Sequence, residues 1–198
     1  MQVTITRHGE TEENKAKILM GQLPGKLSEK GIFQAQKLGL RLKDEPFTHI
    51  YSSDLARTLD TAQEISKYHP NIPFESTSEL RERNLGELQG KSKAELGLDP
   101  NVFLGDLIET KEGETMADLY KRASWFLEKL LKKHHNNDNI LLCWHNGINT
   151  ALTAVLLWKP HTEITTIGKQ ANAGITIFDI DNAGNASLST FNCTKHLD

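Results

Sequence analysis

Residues 2–6 (QVTIT) alternate polar with apolar side chains and are rich in β-branched types, which predicts a strand ending at Arg7. After a loop marked by Gly21, Pro24 and Gly25, the residues Ile32, Ala35, Leu38 and Leu42 recur at the spacing of one helix face. HIYSS (residues 49–53) reads as a short strand. Leu55, Leu59, Ala62 and Ile65 then mark a second helix, with Asp54 as its expected N-cap and Arg57 in its first turn. Residues 70–113 sustain neither period and carry several prolines and glycines, so an irregular, lid-like excursion over the sheet is expected there. Thr115 and Asp118 form a capping-box pattern ahead of Met116, Leu119, Ala123, Phe126 and Leu130, a long amphipathic helix expected to stop near Asn136 and Asn137. NILLCW, ending at His145, is nearly all apolar, as in a strand covered on both faces; residues 148–157 read as helix. AGITIFDI and ASLSTF alternate like strands on either side of the turn-prone DNAGN. Strands alternating with helices predict an α/β fold, a three-layer α/β/α domain with a mostly parallel central sheet.

Composition narrows the class. At 198 residues the chain is one domain, 1–198, large enough to bury a core without metal or disulfide staples. A formal net charge of -3 has the wrong sign for a protein that coats nucleic acid, so any phosphate must be met by local cations. No run of eighteen apolar residues and no basic leader followed by an apolar stretch occurs, which leads to the expectation of a cytoplasmic protein with no membrane partner. Two cysteines make no disulfide framework, and Cys143, inside NILLCW, reads as a buried reduced thiol.

In open α/β sheets, ligands gather at the carboxyl ends of strands, and two predicted strands end in histidine: ITRHG places His8 and LLCWH places His145. A single such histidine is more often structural. Here Arg7 adjoins His8, Arg57 opens the following helix, and Glu82 lies in the polar excursion. Two arginines and two histidines without a metal-type carboxylate cluster describe an anion hole, because guanidinium forks match phosphoryl oxygens. Neither metal nor cofactor is required. A histidine among cations stays neutral and can use a ring lone pair as nucleophile. Phosphoryl transfer then needs positioning and spread positive charge, and Glu82, if partial burial and the phosphate's charge keep it protonated, can serve the leaving alkoxide.

RHGETEEN, SSDLARTLDTA, LRERNLGELQG, EGET and WHNG resemble, in order and spacing, the motifs of the histidine phosphatase superfamily, the phosphoglycerate mutase-like proteins, from residue 3 to about residue 150. The resemblance implies the phosphoglycerate mutase-like α/β fold, phosphorylation of His8, a phosphoryl group held by Arg7, Arg57 and His145, and Glu82 as the acid/base. It further implies supporting contacts from Asn14, Gly21 and Gln22. One departure stands out: the family usually has Ser or Thr before the second histidine and Gly after it, whereas Trp144 and Asn146 flank His145. Asn tolerates left-handed backbone, so the phosphate-facing amide at Asn146 is expected to survive, with Trp144 filling space on the strand's other face.

Competing readings are weaker. Gly90-Lys91-Ser92 ends like a phosphate-binding P-loop, but that loop needs a glycine at position 85, which is Leu. His134 and His135 are adjacent at a helix end, where they favour the negative terminus rather than a metal. Within the family, the short interval between Glu82 and His145, and a chain that stops soon after its last strand, favour a phosphatase over a mutase or a sugar-bisphosphatase. An inactive phosphate-binding module would have no use for His8 and Glu82 together. Residues 91–114 hold three lysines against six acids, which leads to the expectation of a small-molecule phosphate ester with a single phosphate. Val102, Phe103, Leu104, Leu107 and Ile108 in that segment offer an apolar contact to the substrate body or a core-facing helix. The sequence does not fix the oligomeric state.

Overall fold

The runs with strand character become one sheet in the computed structural model, which describes residues 1–101 and 110–198; the apolar positions from Val102 to Ile108 lie outside the described residues. Its strands are β1 (Gln2–Arg7), β2 (His49–Ser53), β3 (Phe74–Thr77), β4 (Asn139–Trp144), β5 (Ile175–Ile180) and β6 (Ala186–Cys193), in the order β3-β2-β4-β1-β5-β6. The β3-β2-β4-β1 half is parallel. The other half is antiparallel, because a turn as short as DNAGN can join β5 to β6 only as a hairpin, and β5 itself runs against β1. Three of the five strand pairings are parallel, so the sheet is mostly parallel as expected, with an antiparallel edge formed by β5 and β6.

Helices α1 (Glu12–Lys15), α2 (Glu29–Leu42), α3 (Ala56–Ser66), α4 (Met116–Lys133) and α5 (Asn146–Leu156) complete the layers. The covered strand β4 is buried at every position and splits its side chains by parity. Leu141 joins Leu38, Leu42 and Ile65 of α2 and α3 on one face. Ile140, Leu142 and Trp144 join Leu119, Phe126 and Ile148 of α4 and α5 on the other. Trp144 is fully buried there, its ring centroid 5.9 Å from that of Phe126, so it does fill space on the core face of β4.

Several expectations give way locally. Residues 74–77, inside the stretch expected to be irregular, form edge strand β3 despite an exposed, polar pattern with no apolar face to announce it. Leu55, not Asp54, is the N-cap of α3, because the Asp54 carboxylate is taken by the Arg81 fork at 2.7 and 2.6 Å. Helix α4 opens with the Thr115–Asp118 capping box but ends at Lys133, with His134 as its C-cap. Ile32 is exposed and the core stripe of α2 runs through Ala35, Leu38 and Leu42. Cys143 is a buried free thiol, pushed up from its usual range by burial. No helix among the described residues is long and apolar enough to cross a membrane.

Candidate active site

Strands β1 and β4 are neighbours in register, Arg7 opposite Trp144, and the His8 N–H donates to the Trp144 carbonyl at 3.0 Å. The next residue of each chain segment, His8 and His145, therefore leaves the sheet at the same edge. Both rings are buried, with centroids 5.2 Å apart and planes at 61°. His8 Nδ1 lies 2.7 Å from the Gly9 carbonyl oxygen. A carbonyl can only accept, so Nδ1 carries the proton and Nε2 keeps its lone pair. Burial first, then the charges of Arg57 and Arg7, hold the His8 pKa well below the ordinary imidazole value. The ring is neutral at pH 7, in the tautomer a nucleophile needs.

The arginines are fastened by backbone carbonyls. Arg7 donates through Nη1 to Gln170 O at 2.8 Å, while its buried Nε has no partner among the described residues. Arg57, in the first turn of α3, donates to Gly21 O at 2.9 Å, to Pro24 O at 3.0 Å and to Leu23 O. Both guanidiniums are pulled down to about 10, chiefly by burial, with Glu82 opposing the shift, and so stay charged at neutral pH. Gly21 holds its carbonyl toward Arg57 at φ +48, and a Cβ there would run into the Gln89 side chain.

His145, the N-cap of α5, has Ser53 Oγ at 2.9 Å and Thr58 Oγ1 at 3.1 Å from Nε2, while Nδ1 is buried with no partner among the described residues. Its pKa is also held well below normal, by burial and then by Arg57 and its neighbours. The two hydroxyls fix the ring through Nε2, and His145, expected to hold the phosphoryl group, lies behind the cavity wall rather than in it. Glu82 faces the same space. Its Oε1 accepts from Arg83 N at 2.8 Å and its Oε2 from Gly147 N at 3.0 Å. The loop beneath is gathered by Arg122, which donates to the carbonyls of Glu79, Arg81 and Glu82 at 2.8, 2.7 and 3.3 Å and forks onto Glu114 at 2.7 Å twice.

Arg7, His8, Arg57 and Glu82 line one cavity of about 270 Å³, slightly below the roughly 300–1,000 Å³ of most ligand sites. Asn14, Gly21 and Asn146 line it too. Asn14 uses its Oδ1 to accept from Thr11 N and from Asn172 Nδ2, both at 3.3 Å. Asn146 is the first residue of α5 with ordinary helical backbone, so the left-handed conformation expected there does not occur; its Oδ1 accepts from Gln170 N at 2.6 Å. Gln22, expected to touch substrate, is not part of the cavity wall, because its side-chain amide turns to the Glu82 carbonyl at 3.1 Å. A larger depression of about 710 Å³ lies at the opposite edge of the sheet, but Glu45, Asp138, Asp179 and Asp181 line it and repel anions.

Sequence reasoning missed several contributors. Ser53 and Thr58 orient His145, and Thr61 accepts from Gly9 N at 3.1 Å beside His8; all three lie in the SSDLARTLDTA motif, which was the available signal. Asn172 and Arg122 lie far along the chain from the groups they serve, and no local pattern marks them. The charge count over residues 91–114 does not carry over to the cavity: of the described residues in that span, only Lys93 and Pro100 line it. His49, His134 and Asp138 have ligand-type atoms within 4.8 Å of one another away from this cavity, with His134 already engaged by Tyr51 at 2.8 Å and Asp138 at 3.3 Å.

Comparison with known proteins bears on this geometry. The profile of the histidine phosphatase superfamily (branch 1) matches residues 3–194. A metal-independent phosphoserine phosphatase of Arabidopsis thaliana is 32% identical over 89% of this chain and 75% of the relative. The fructose-2,6-bisphosphatase TIGAR of Bos taurus is 39% identical over 65% of this chain and 50% of its own length. The crystal structure of a phosphoserine phosphatase in complex with 3-phosphoglyceric acid, from Entamoeba histolytica, superimposes with a TM-score of 0.84 at 28% identity, covering 99% of this chain and 98% of that one. With buried histidines at the ends of β1 and β4, carbonyl-anchored arginines between them and this match over nearly its whole length, the chain belongs to the histidine phosphatase superfamily and is an enzyme of the phosphatase class.

Proposed function

We propose that the protein hydrolyses small-molecule phosphate monoesters through a phosphohistidine on His8. The lone pair of His8 Nε2 attacks phosphorus and the bond from phosphorus to the ester oxygen breaks, while Glu82 gives its proton to the departing alkoxide. Arg7, Arg57 and His145 hold the phosphoryl oxygens as charge redistributes. Glu82 then takes a proton from water, whose oxygen attacks phosphorus as the phosphorus–nitrogen bond breaks. Inorganic phosphate leaves and His8 returns to its neutral tautomer. Acid–base assistance of this kind contributes roughly 10²–10⁴ in rate.

The observation that carries this reading is the bond from His8 Nδ1 to the Gly9 carbonyl, which leaves Nε2 unprotonated in a buried neutral ring beside two arginines. The test is covalent. Brief incubation with a phosphate ester at acidic pH, then quenching in base, is expected to trap an acid-labile, base-stable phosphoryl group on His8 that His8→Ala lacks. Phosphate release without any adduct, or an adduct that survives in His8→Ala, overturns the mechanism. A mutase of the same family would return the phosphoryl group to substrate; appearance of 2-phosphoglycerate from 3-phosphoglycerate and a 2,3-bisphosphate primer faster than free phosphate would establish that alternative.

A further inference from the structure

We propose that Lys17, Lys93 and Lys169 form a second anion subsite at the mouth of the cavity, so that the preferred ester carries a further phosphate or carboxylate beyond the phosphoryl group transferred. This deepens the phosphatase reading and rests on it for the identity of the first subsite.

Three observations carry it. All three lysines line the cavity that holds His8. Backbone bonds put them there. Lys93 N donates to Lys17 O at 3.0 Å, Leu19 N to Lys91 O at 2.8 Å and Gly90 N to Leu19 O at 2.8 Å, a short antiparallel pairing that sets Lys17 beside Lys93. Lys169 precedes Gln170, whose carbonyl accepts from Arg7 and whose N–H donates to Asn146, so it stands one residue from the phosphoryl site. The third observation is charge. Among the described residues, Glu10 and Glu82 are the acids of the cavity wall. Glu82 is bound to two backbone N–H groups, and Glu10 turns to Ser28 Oγ at 3.2 Å and Lys30 at 3.4 Å. Lys93 donates to the Pro100 carbonyl at 2.8 Å, and among the described residues the ammonium groups of Lys17 and Lys169 have no hydrogen-bond or ion-pair partner.

Like charges gathered in this way repel, and the effect is visible. Burial and then the charges of Arg7, Lys17 and Lys93 pull the Lys169 pKa down; burial and Lys17 do the same to Lys93, against Asp99. Lys17 also sits at φ +57, a left-handed conformation unfavourable to a residue with a Cβ. Once Arg7, Arg57 and His145 are committed to one phosphoryl group, a second anion relieves this repulsion. Its position beside Arg7 suits a substrate whose two anionic groups are separated by a short carbon frame.

The test uses binding, so it does not depend on turnover. Propylphosphonate, 3-phosphonopropionate and propane-1,3-bisphosphonate share a three-carbon frame and carry, respectively, no second anion, a carboxylate and a phosphonate. Titration calorimetry is expected to give the two doubly anionic probes at least roughly tenfold tighter Kd than propylphosphonate, with the preference falling steeply as salt rises. The better of the two names the second anion. Lys17→Gln combined with Lys169→Gln is expected to bring the three affinities within about threefold of one another, whatever it does to the affinity for propylphosphonate itself. Equal affinities in the wild type, or a preference that survives the double substitution, overturns the proposal. Loss of the His8 adduct would refute the catalytic reading while leaving this comparison intact.

Discussion

Gly147→Ala separates the proposed acid/base role of Glu82 from the other roles proposed for the site. A Cβ at position 147 would lie 2.4 Å from Glu82 Oε1, 3.3 Å from its Cδ and 3.5 Å from Leu119 Cδ2. The obstructing atom is the tip of a flexible side chain, so the carboxylate yields rather than the fold. Reaching ordinary contact moves it by about 1 Å and breaks the bond from Gly147 N, and a displacement of that size costs on the order of 10²-fold in rate. Stability moves the other way, since Ala in place of Gly within α5 favours the helix by roughly 0.5–1 kcal/mol. The expected result is a Tm unchanged or slightly raised, with kcat on glycerol phosphate down by about 10²-fold. p-Nitrophenyl phosphate, whose phenolate leaves without a proton, should lose far less in the burst of phenolate that reports phosphorylation of His8. Steady-state phosphate release and stopped-flow phenolate release measure both. Equal losses on the two esters in the first step, or no loss on the alkyl ester, would refute the assignment of Glu82.

Three further outcomes follow from the same coordinates. Trp144→Ser should cost roughly 3–5 kcal/mol by emptying the core beside Phe126, with no selective change in substrate range among the folded molecules; urea denaturation and a phosphate-release panel check this. Arg122→Met should destabilise by about 2 kcal/mol, less than the roughly 3–5 of a fully buried pair because the two side chains remain 18% and 21% exposed, and should lower kcat more than it raises KM as the Glu82 loop loosens. His8 and His145 are held neutral in the folded protein but take up protons near pH 6.5 when unfolded, so the unfolded state binds more protons as pH falls and stability declines below about pH 6.5. The urea midpoint should therefore be lower at pH 5.5 than at 7.5, and a midpoint that rises on acidification contradicts the assigned direction.

The parts of this molecule legible from sequence are those governed by period and by chain-end chemistry. The apolar run of β4 and the 3-4 rhythm of α4 report burial directly, and the Thr115–Asp118 box reports the start of a helix. Adjacency of Arg7 and His8 at a strand end marks two cavity groups in the sequence itself. Edge strand β3 escaped because its side chains are exposed and polar, so its pairing with β2 rests on backbone bonds that no pattern encodes. The cap of α3 escaped because Arg81, distant in sequence, competes for Asp54. The charge count over residues 91–114 is a sum over a segment, and of its described residues only Lys93 and Pro100 line the cavity, as the backbone pairing there dictates.

The same distinction explains how a chain of net charge -3 keeps a cationic pocket. Arg81 and Arg122 bind carboxylates, Asp54 and Glu114, and their charge is spent on structure. Among the described residues, Arg7 and Arg57 donate to carbonyl oxygens, of Gln170 and of the loop carrying Gly21 and Pro24. A carbonyl fixes the direction of a guanidinium through a hydrogen bond but neutralises none of its charge, so the field survives for a phosphoryl group. That field, with burial, keeps both histidines neutral, and a neutral His8 with a free Nε2 lone pair is what the proposed attack on phosphorus needs. The choice between a structural and a functional arginine is thus made by the acceptor it meets in the fold. Adding a side-chain carboxylate beside these guanidiniums should therefore weaken phosphate binding even with every other cavity residue in place.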